Sequence, residues 1–360
     1  MSNTTPVVCV GSAAGDRRRA FDRSVTDRPV RWVTWPDVLD GAVDWAELLA
    51  DQPVLRLDSP SDDPATDARL LHLGGDTPGP VGTSRLLRHD RWHAGLAIAL
   101  SRLDEQLRDA PAHRRLQPSA TLLAVFNKLA TAEVLNRAGV PTPTTEYATT
   151  VPDALEVLAG RAQSFVKIRH GSSAAGMIAV RRHGDRWLAH STYDPATGAN
   201  VTRPVTLHGR EALTEALTPL VRQGVVIQPW LPKVTAGGGT VDFRVVVIDR
   251  RARHVLPRVV SGTPFTNLHL GARRGDPEAI RAQLGADTWH DLLATAEHAV
   301  AAFDPPALYA GVDVLVRAGS LRPYVLEVNA FGDFHEGIEV DGQDTYRAEM
   351  AACDALRVAA

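Results

Sequence analysis

PYVLEVNAFGDF, residues 323–334, sets a carboxylate and an amide, Glu327 and Asn329, two positions apart at the end of an otherwise apolar run. A strand repeats every two residues, so both side chains leave one face. The run LYAGVDVLVR precedes it, separated by Ala318, Gly319 and Ser320. If those three residues form a hairpin loop, Arg317 faces Leu321 and Asp313 faces Val325, which brings Asp313 onto the face of Glu327 and Asn329. A loop of even length would place Asp313 on the other side. Two carboxylates and an amide oxygen repel one another unless a hard cation sits among them, and Mg²⁺ takes few protein ligands plus substrate phosphates. A solvated strand end is the alternative, and the burial implied by YVLEV weighs against it.

Working outward, GVVIQPWLP (224–232) reads as a strand closed by prolines, and GGGTVDFRVVVIDRRARHVLPRVV (237–260) as a strand pair around a polar turn. Asp242 and Arg244 share one face of the first of that pair. SGTPFTNLHLGARRGD (261–276) is a loop dense in hydrogen-bonding groups, and a helical segment follows around 277–303. Upstream, FVKIRHGSSAAGM is a strand entering a Gly/Ser/Ala loop, whose unobstructed N–H groups could close over a polyphosphate or simply turn a hairpin. In FNKLATAEVLNRAGVPTPTTEYA (126–148), Asn127 is placed to cap a helix that Gly139, Pro141 and Pro143 end. The first hundred or so residues alternate short apolar runs, PVVCVGS, RPVRWVTW and QPVLRLDSP, with helical-looking segments; this predicts a small α/β unit with a parallel sheet. GSAAGDRRR after the first run lacks the dinucleotide fingerprint and reads as an ordinary turn.

Composition excludes several classes. The chain has 360 residues, 44% hydrophobic, with 28 Gly and 24 Pro, which suits two or three packed units. A formal charge of −3 gives no pull toward nucleic acid or anionic lipid, and no run reaches membrane-spanning length. Cys9 and Cys353 alone support no disulfide framework, and the N-terminus lacks a signal-peptide pattern, so a cytoplasmic address is expected. Of 39 basic residues only Lys128, Lys167 and Lys233 are lysine. Lysine is a compact point charge suited to phosphate in a narrow site, whereas arginine is a wide planar fork, so the lysines mark positions worth locating.

Taken in order, NKLATAEVLNRAGVPTP, FVKIRHGSSAAGM, VIQPWL, DFRVVV, TNLHLGARRG, AGVDVLV and LEVNAFGD resemble the ATP-grasp superfamily, and within it the RimK-like branch of glutamate-adding and peptide ligases. The likeness spans roughly residues 119–350. It implies an α/β architecture of the α+β ATP-grasp kind: a small N-terminal α/β domain (1–115), a central subdomain with a phosphate lid (119–190) and a C-terminal subdomain with a metal site (191–350). By position Lys128 and Lys167 correspond to the family's nucleotide-binding lysines, Gly171, Ser172 and Ser173 to its lid, and Gln228, Trp230 and Leu231 to the strand that meets adenine. Asp313, Glu327 and Asn329 match its metal ligands, for Mg²⁺ or Mn²⁺; Arg244, Arg258 and Asn267 fall where phosphate and the acyl phosphate are held. Lys233 has no counterpart and is expected to be a loop charge.

The branch usually continues Glu-x-Asn with Ser-Pro-Gly. Here Ala330, Phe331, Gly332, Asp333, Phe334 and His335 follow, so Phe331, Asp333 and His335 are expected to border the acceptor. Asp333 could hold an incoming ammonium or merely cap a turn. The implied activity is an ATP-dependent carboxylate–amine ligase, passing through an acyl phosphate and releasing ADP, with small-molecule or peptide substrates. A phosphotransferase or a ligase with a non-amine acceptor would share the nucleotide and metal residues, and a silent nucleotide-binding accessory protein would not need the full set. No P-loop pattern competes.

Overall fold

A computed structural model of the chain describes residues 4–76, 86, 88–331 and 337–358. Three sheets organise it. The first is parallel, built from β1 (Val7–Gly11), β2 (Val30–Thr34), β3 (Val54–Leu57) and the two-residue β4 (Arg114–Arg115) in the order β2-β1-β3-β4. Every residue of β1 is buried, as a central parallel strand covered on both faces requires. The parallel α/β unit expected from the apolar runs is therefore present. β4 escaped the reading because two arginines carry no apolar pattern.

The second sheet is antiparallel: β5 (Glu146–Ala148), β6 (Gln163–Ile168), β7 (Ile178–His183), β8 (Arg186–Asp194), β9 (Ala199–His208) and β10 (Val225–Pro229), in the order β5-β10-β6-β7-β8-β9. Helices Val151–Ala159 and Gly209–Val221 cover it through Leu155, Leu158, Leu213, Leu217 and Leu220. The expected division between residues 190 and 191 falls inside β8, and this sheet continues to Pro229.

The third sheet holds β11 (Thr235–Ala236), β12 (Gly239–Ile248), β13 (Arg251–Val260), β14 (Arg273–Arg274), β15 (Tyr309–Val316) and β16 (Pro323–Asn329). Its main path is β14-β13-β12-β15-β16, with β11 paired to β12. Alternation on β12 decides what each face does. Val241, Phe243, Val245 and Val247 enter the core beneath helix Ala286–Ala301, while Asp242 and Arg244 point the other way. Farther along that second face Val246 and Ile248 pack with Val7, Cys9 and Tyr346, which joins this sheet to the first.

The β15–β16 hairpin differs from expectation in one respect. The Arg317 N–H donates to the Arg322 carbonyl at 2.9 Å and Val316 pairs with Pro323, so the loop is the four residues Ala318 to Leu321. An even loop would have turned Glu327 toward the core. Instead the pairing runs to Val314–Val325, Leu326 is left as an extra bulged residue, and Asp313 then pairs with Glu327 and Gly311 with Asn329. Asp313 thus faces Glu327 rather than Val325, and the three side chains still share a face.

Candidate active site

A cavity of about 800 Å³ lies between the second and third sheets. Lys167 reaches it from β6, Gln228 from β10, and Asp242, Arg244, Arg258 and Asp313 from the third sheet, with Glu327 and Asn329 at the end of β16. Gly171, Ser172 and Ser173, of the loop between β6 and β7, cover one side, and Asn267 lines another. Segments after β1 and β3 in the first sheet supply a further wall.

Lys128 opens helix Lys128–Arg137, and the predicted cap is present: Asn127 accepts the Ala130 N–H at 3.2 Å and also the Arg169 Nε at 2.9 Å. The Lys128 Nζ donates to the Gly171 carbonyl at 2.6 Å and to Glu327 Oε1 at 2.5 Å, joining the loop to the carboxylate strand. Lys167 donates to Gln228 Oε1 at 2.8 Å, and Gln228 in turn donates to Thr145. Burial, with the charges of Lys128 and Lys233 adding to it against the pull of Glu327, lowers the Lys167 ammonium to about 8.

Lys233 is not a loop charge. Its Nζ donates to Asp242 Oδ2 at 2.8 Å and to Thr266 at 2.6 Å, and the side chain is buried against the cavity. The loop position misled because Val234 and Val316 hydrogen-bond across it, turning the chain back against β15. Asp242 is the hub that sequence reading placed on the right face but gave no role: it also takes Arg258 Nε at 2.8 Å and the Thr266 hydroxyl. The D-x-R spacing of Asp242 and Arg244 was the available signal. Arg244 bonds both oxygens of Asp313, and Arg258 reaches Asp313 Oδ2 at 3.2 Å. Burial alone would raise the Asp313 carboxyl, but Arg244 and Arg258 hold it well below the usual range. Gly311 makes room for this pair, since a Cβ there would lie 3.2 Å from Arg244 Cδ.

In the loop, Ser173 and Ala174 have φ of 50° and 59°, left-handed values that cost a non-glycine residue. Thr192 holds the segment by donating to the Ala174 carbonyl at 2.7 Å and accepting the Met177 N–H at 2.8 Å. Asn267 caps the turn Leu268–Leu270, its Oδ1 accepting the His269 N–H at 2.8 Å. Phe331 is buried with its ring 5.5 Å from Phe126. Trp230 stands apart from the cavity lining: its ring packs 5.1 Å from Phe165 and beneath Arg181, and its backbone N–H donates to the Gln163 carbonyl. Among the described residues the Leu231 N–H next to it finds no acceptor. Asp333 and His335 lie outside the described residues.

Oxygen donors suited to a hard cation are present in Asp313, Glu327 and Asn329, although both Asp313 oxygens are engaged by Arg244 and Arg258 and a cation there would have to displace one of those contacts. The first two are direct cross-strand partners, and among the described residues Glu327 Oε2 and Asn329 Oδ1 accept no hydrogen bond. These residues fit Mg²⁺ with phosphate completing its shell. Among the described residues no cluster of three or more His, Cys, Asp or Glu could hold a metal alone, and no helix is long and apolar enough to cross a membrane.

The family described as YheC/D-like ATP-grasp matches residues 122–335, more than half of the chain. No curated protein matches by sequence. Among solved structures, D-cycloserine synthetase DcsG superposes with a TM-score of 0.58 at 16% identity over 97% of this chain and 99% of that one. The ATP-grasp ligase PsnB, complexed with a minimal precursor, gives 0.57 at 15% identity over 99% of each chain. D-alanine–D-alanine ligase from Bacillus anthracis, complexed with ATP, gives 0.53 at 13% identity over 98% of each. At such identities the superpositions speak for the fold, and with the matched residues they carry one conclusion: this chain belongs to the ATP-grasp superfamily, in its YheC/D-like family.

Proposed function

We propose that the chain is an ATP-dependent carboxylate–amine ligase that activates an acid as its acyl phosphate and releases ADP and phosphate. The observation that carries this reading is the charge of the cavity wall: Lys128, Lys167, Lys233, Arg17, Arg19, Arg244, Arg258 and Arg274 outnumber the carboxylates of Asp16, Asp62, Asp242, Asp313 and Glu327. Cations in excess of their carboxylates call for an anionic ligand, and a polyphosphate is the ligand that a lysine-lined slot suits. Supporting it, PsnB was solved with Mg and ADP, and the ligase from Bacillus anthracis with ATP.

In this reading Lys128 and Lys167 bind the phosphates, with Gly171, Ser172 and Ser173 as the lid above them. Phe165, Met177 and Leu231 form an apolar slot for adenine, and the free Leu231 N–H serves its edge. Asp313, Glu327 and Asn329 would hold Mg²⁺, which when bound would supply positive charge against that of the transferring phosphoryl group. A carboxylate is a poor electrophile because an amine cannot expel its oxygen. Phosphorylation makes that oxygen a good leaving group, so the protein needs alignment and positive charge rather than a covalent nucleophile. Arg244, Arg258 and Lys233 supply the charge, and Asn267 orients the acyl group. Phe331 borders the acceptor. Three units, an N-terminal one over 1–115, a central one from 119 that runs on through Pro229 and a C-terminal one, acting in the cytoplasm on small-molecule or peptide acids and amines, complete the proposal.

Incubation with ATP, Mg²⁺ and panels of acids and amines tests it. ADP release dependent on the acid, with a condensed product of matching mass, is the expected result. AMP as the nucleotide product overturns the route.

A further inference from the structure

The first sheet does more than scaffold. Gly15, Asp16, Arg17 and Asp62 line the same continuous cavity as the lysines, though they come from the helix start after β1 and the short turn after β3. The two touch: a Cβ on Gly15 would lie 3.8 Å from the Asp62 Cβ. Arg17 then spans the gap to the third sheet. Its Nε stands 3.4 Å from Asp62 Oδ2, and its Nη1 donates to the Phe331 carbonyl at 3.4 Å, two residues beyond Asn329. Asp62 therefore lies one guanidinium away from the strand end that carries the proposed metal ligands.

Asp62 is poorly satisfied where it stands. Its side chain is 28% exposed and lines the cavity, and among the described residues it has that single long ion contact and no hydrogen bond. Of the neighbouring hydroxyls, Ser61 donates to Asp67 and Ser59 accepts the Ser61 N–H. A half-buried carboxylate with unused acceptor positions is a site for a cationic donor. Burial, with Asp58 and Asp16 adding to it against Arg17, holds the Asp62 carboxyl above its usual range.

We propose that the acceptor substrate is a charged primary amine whose ammonium is received by Asp62. This rests on the ligase reading and narrows its second substrate. The ammonium gives one proton to the Asp62 carboxylate or through it to solvent, leaving a nitrogen lone pair. That pair forms the C–N bond at the acyl carbon. The C–O bond to phosphate breaks with its electrons, inorganic phosphate departs, and the second N–H proton leaves to phosphate or water. Alcohols and thiols lack the cationic group that Asp62 receives.

Hydroxylamine separates the two claims. It is neutral near pH 7, needs no ammonium site, and traps an acyl phosphate as a coloured hydroxamate. With ATP, Mg²⁺ and free amino acids, dicarboxylic acids and short peptides as acids, the parent protein should form hydroxamate. With glycine, alanine, putrescine and lysine as amines it should form amide. Asp62→Asn should raise the KM for the amine tenfold or more while hydroxamate formation and the KM for the acid change less than threefold, and Asp62→Glu should recover part of the amine KM. An amine KM within twofold of the parent in Asp62→Asn, with hydroxamate still formed, overturns the Asp62 assignment and leaves the ligase reading standing. Hydroxamate absent from the parent with every acid overturns the ligase reading and this proposal with it.

Discussion

Lys167 is the residue whose charge the structure balances most finely. It is buried, its only described partner is the neutral Gln228 oxygen, and it sits near two other lysines with an ammonium lowered to about 8. A polyphosphate arriving beside it would favour the charged form and raise that value. The sign follows directly. Below pH 7 the lysine is already protonated in the free protein, so nucleotide binding takes up no proton from it. Between pH 8 and 9 it is part neutral, so binding should take up as much as one proton. Titration calorimetry at pH 8.5 in two buffers of different ionisation enthalpy would show the uptake, and at pH 6.5 it should vanish. Lys167→Met should lose the uptake and about 1.5–3 kcal/mol of ATP binding, roughly tenfold to a hundredfold in affinity. Binding with equal affinity and no proton uptake in the parent would place the phosphates elsewhere.

At the scale of the element, the hairpin of β15 and β16 brings the two carboxylates together by a route other than the one its sequence suggested. Glu327 is joined to Lys128 and faces Asp313, so its charge serves both a lysine and the proposed metal. Glu327→Gln keeps the shape and removes the charge. It should reduce Mg²⁺-dependent turnover by far more than it reduces binding of metal-free ATP, and full turnover in the variant would take Glu327 out of the metal site. The same hairpin explains what could be read beforehand. Glu327 and Asn329 were legible as a pair because period two is a local property of a strand. The Leu326 bulge was not, since nothing in YVLEV distinguishes four loop residues plus a bulge from a three-residue loop. Lys233 was misread for a related reason: its partners Asp242 and Thr266 lie nine and 33 positions away, and only the folded third sheet brings them together. The N-terminal wall was invisible in the sequence because Asp16, Arg17 and Asp62 form no motif; their chemistry arises where two loop ends meet a sheet from the other end of the chain.

For the molecule as a whole, one buried charge group ties the chain's beginning to its end. Arg56 on β3 lies between Asp58, at 3.1 Å, and Glu349 of helix Thr345–Val358, also at 3.1 Å, and its guanidinium is stacked about by Phe21, Tyr309 and Tyr346 at 5.0, 5.1 and 5.0 Å. One guanidinium serves two carboxylates here, so one negative charge is left over in a dry place. Burial, with Asp58 and Asp344 adding to it against Arg56, raises the Glu349 carboxyl from its ordinary 4.5 to about 7. A carboxyl raised in this way holds its proton in the folded chain at a pH where the unfolded chain has released it. The stabilisation is therefore complete below about pH 4.5 and is lost as pH climbs through about 7, the reverse of the usual salt-bridged carboxylate. Denaturant midpoints measured at pH 5, 6.5 and 8 should fall across that interval, by a few kcal/mol at most in unfolding free energy. Glu349→Gln retains an oxygen for Arg56 Nε and has no proton to lose, so its profile should be flatter and its stability at pH 8 no lower than the parent's. A parent profile that rises with pH, or a slope unchanged by the substitution, would mean that Arg56 keeps both carboxylates charged. The consequence reaches the cavity, because Asp58 is followed at once by Ser59 and the turn that presents Asp62: the group that closes the molecule also fixes the wall on which the acceptor is proposed to rest.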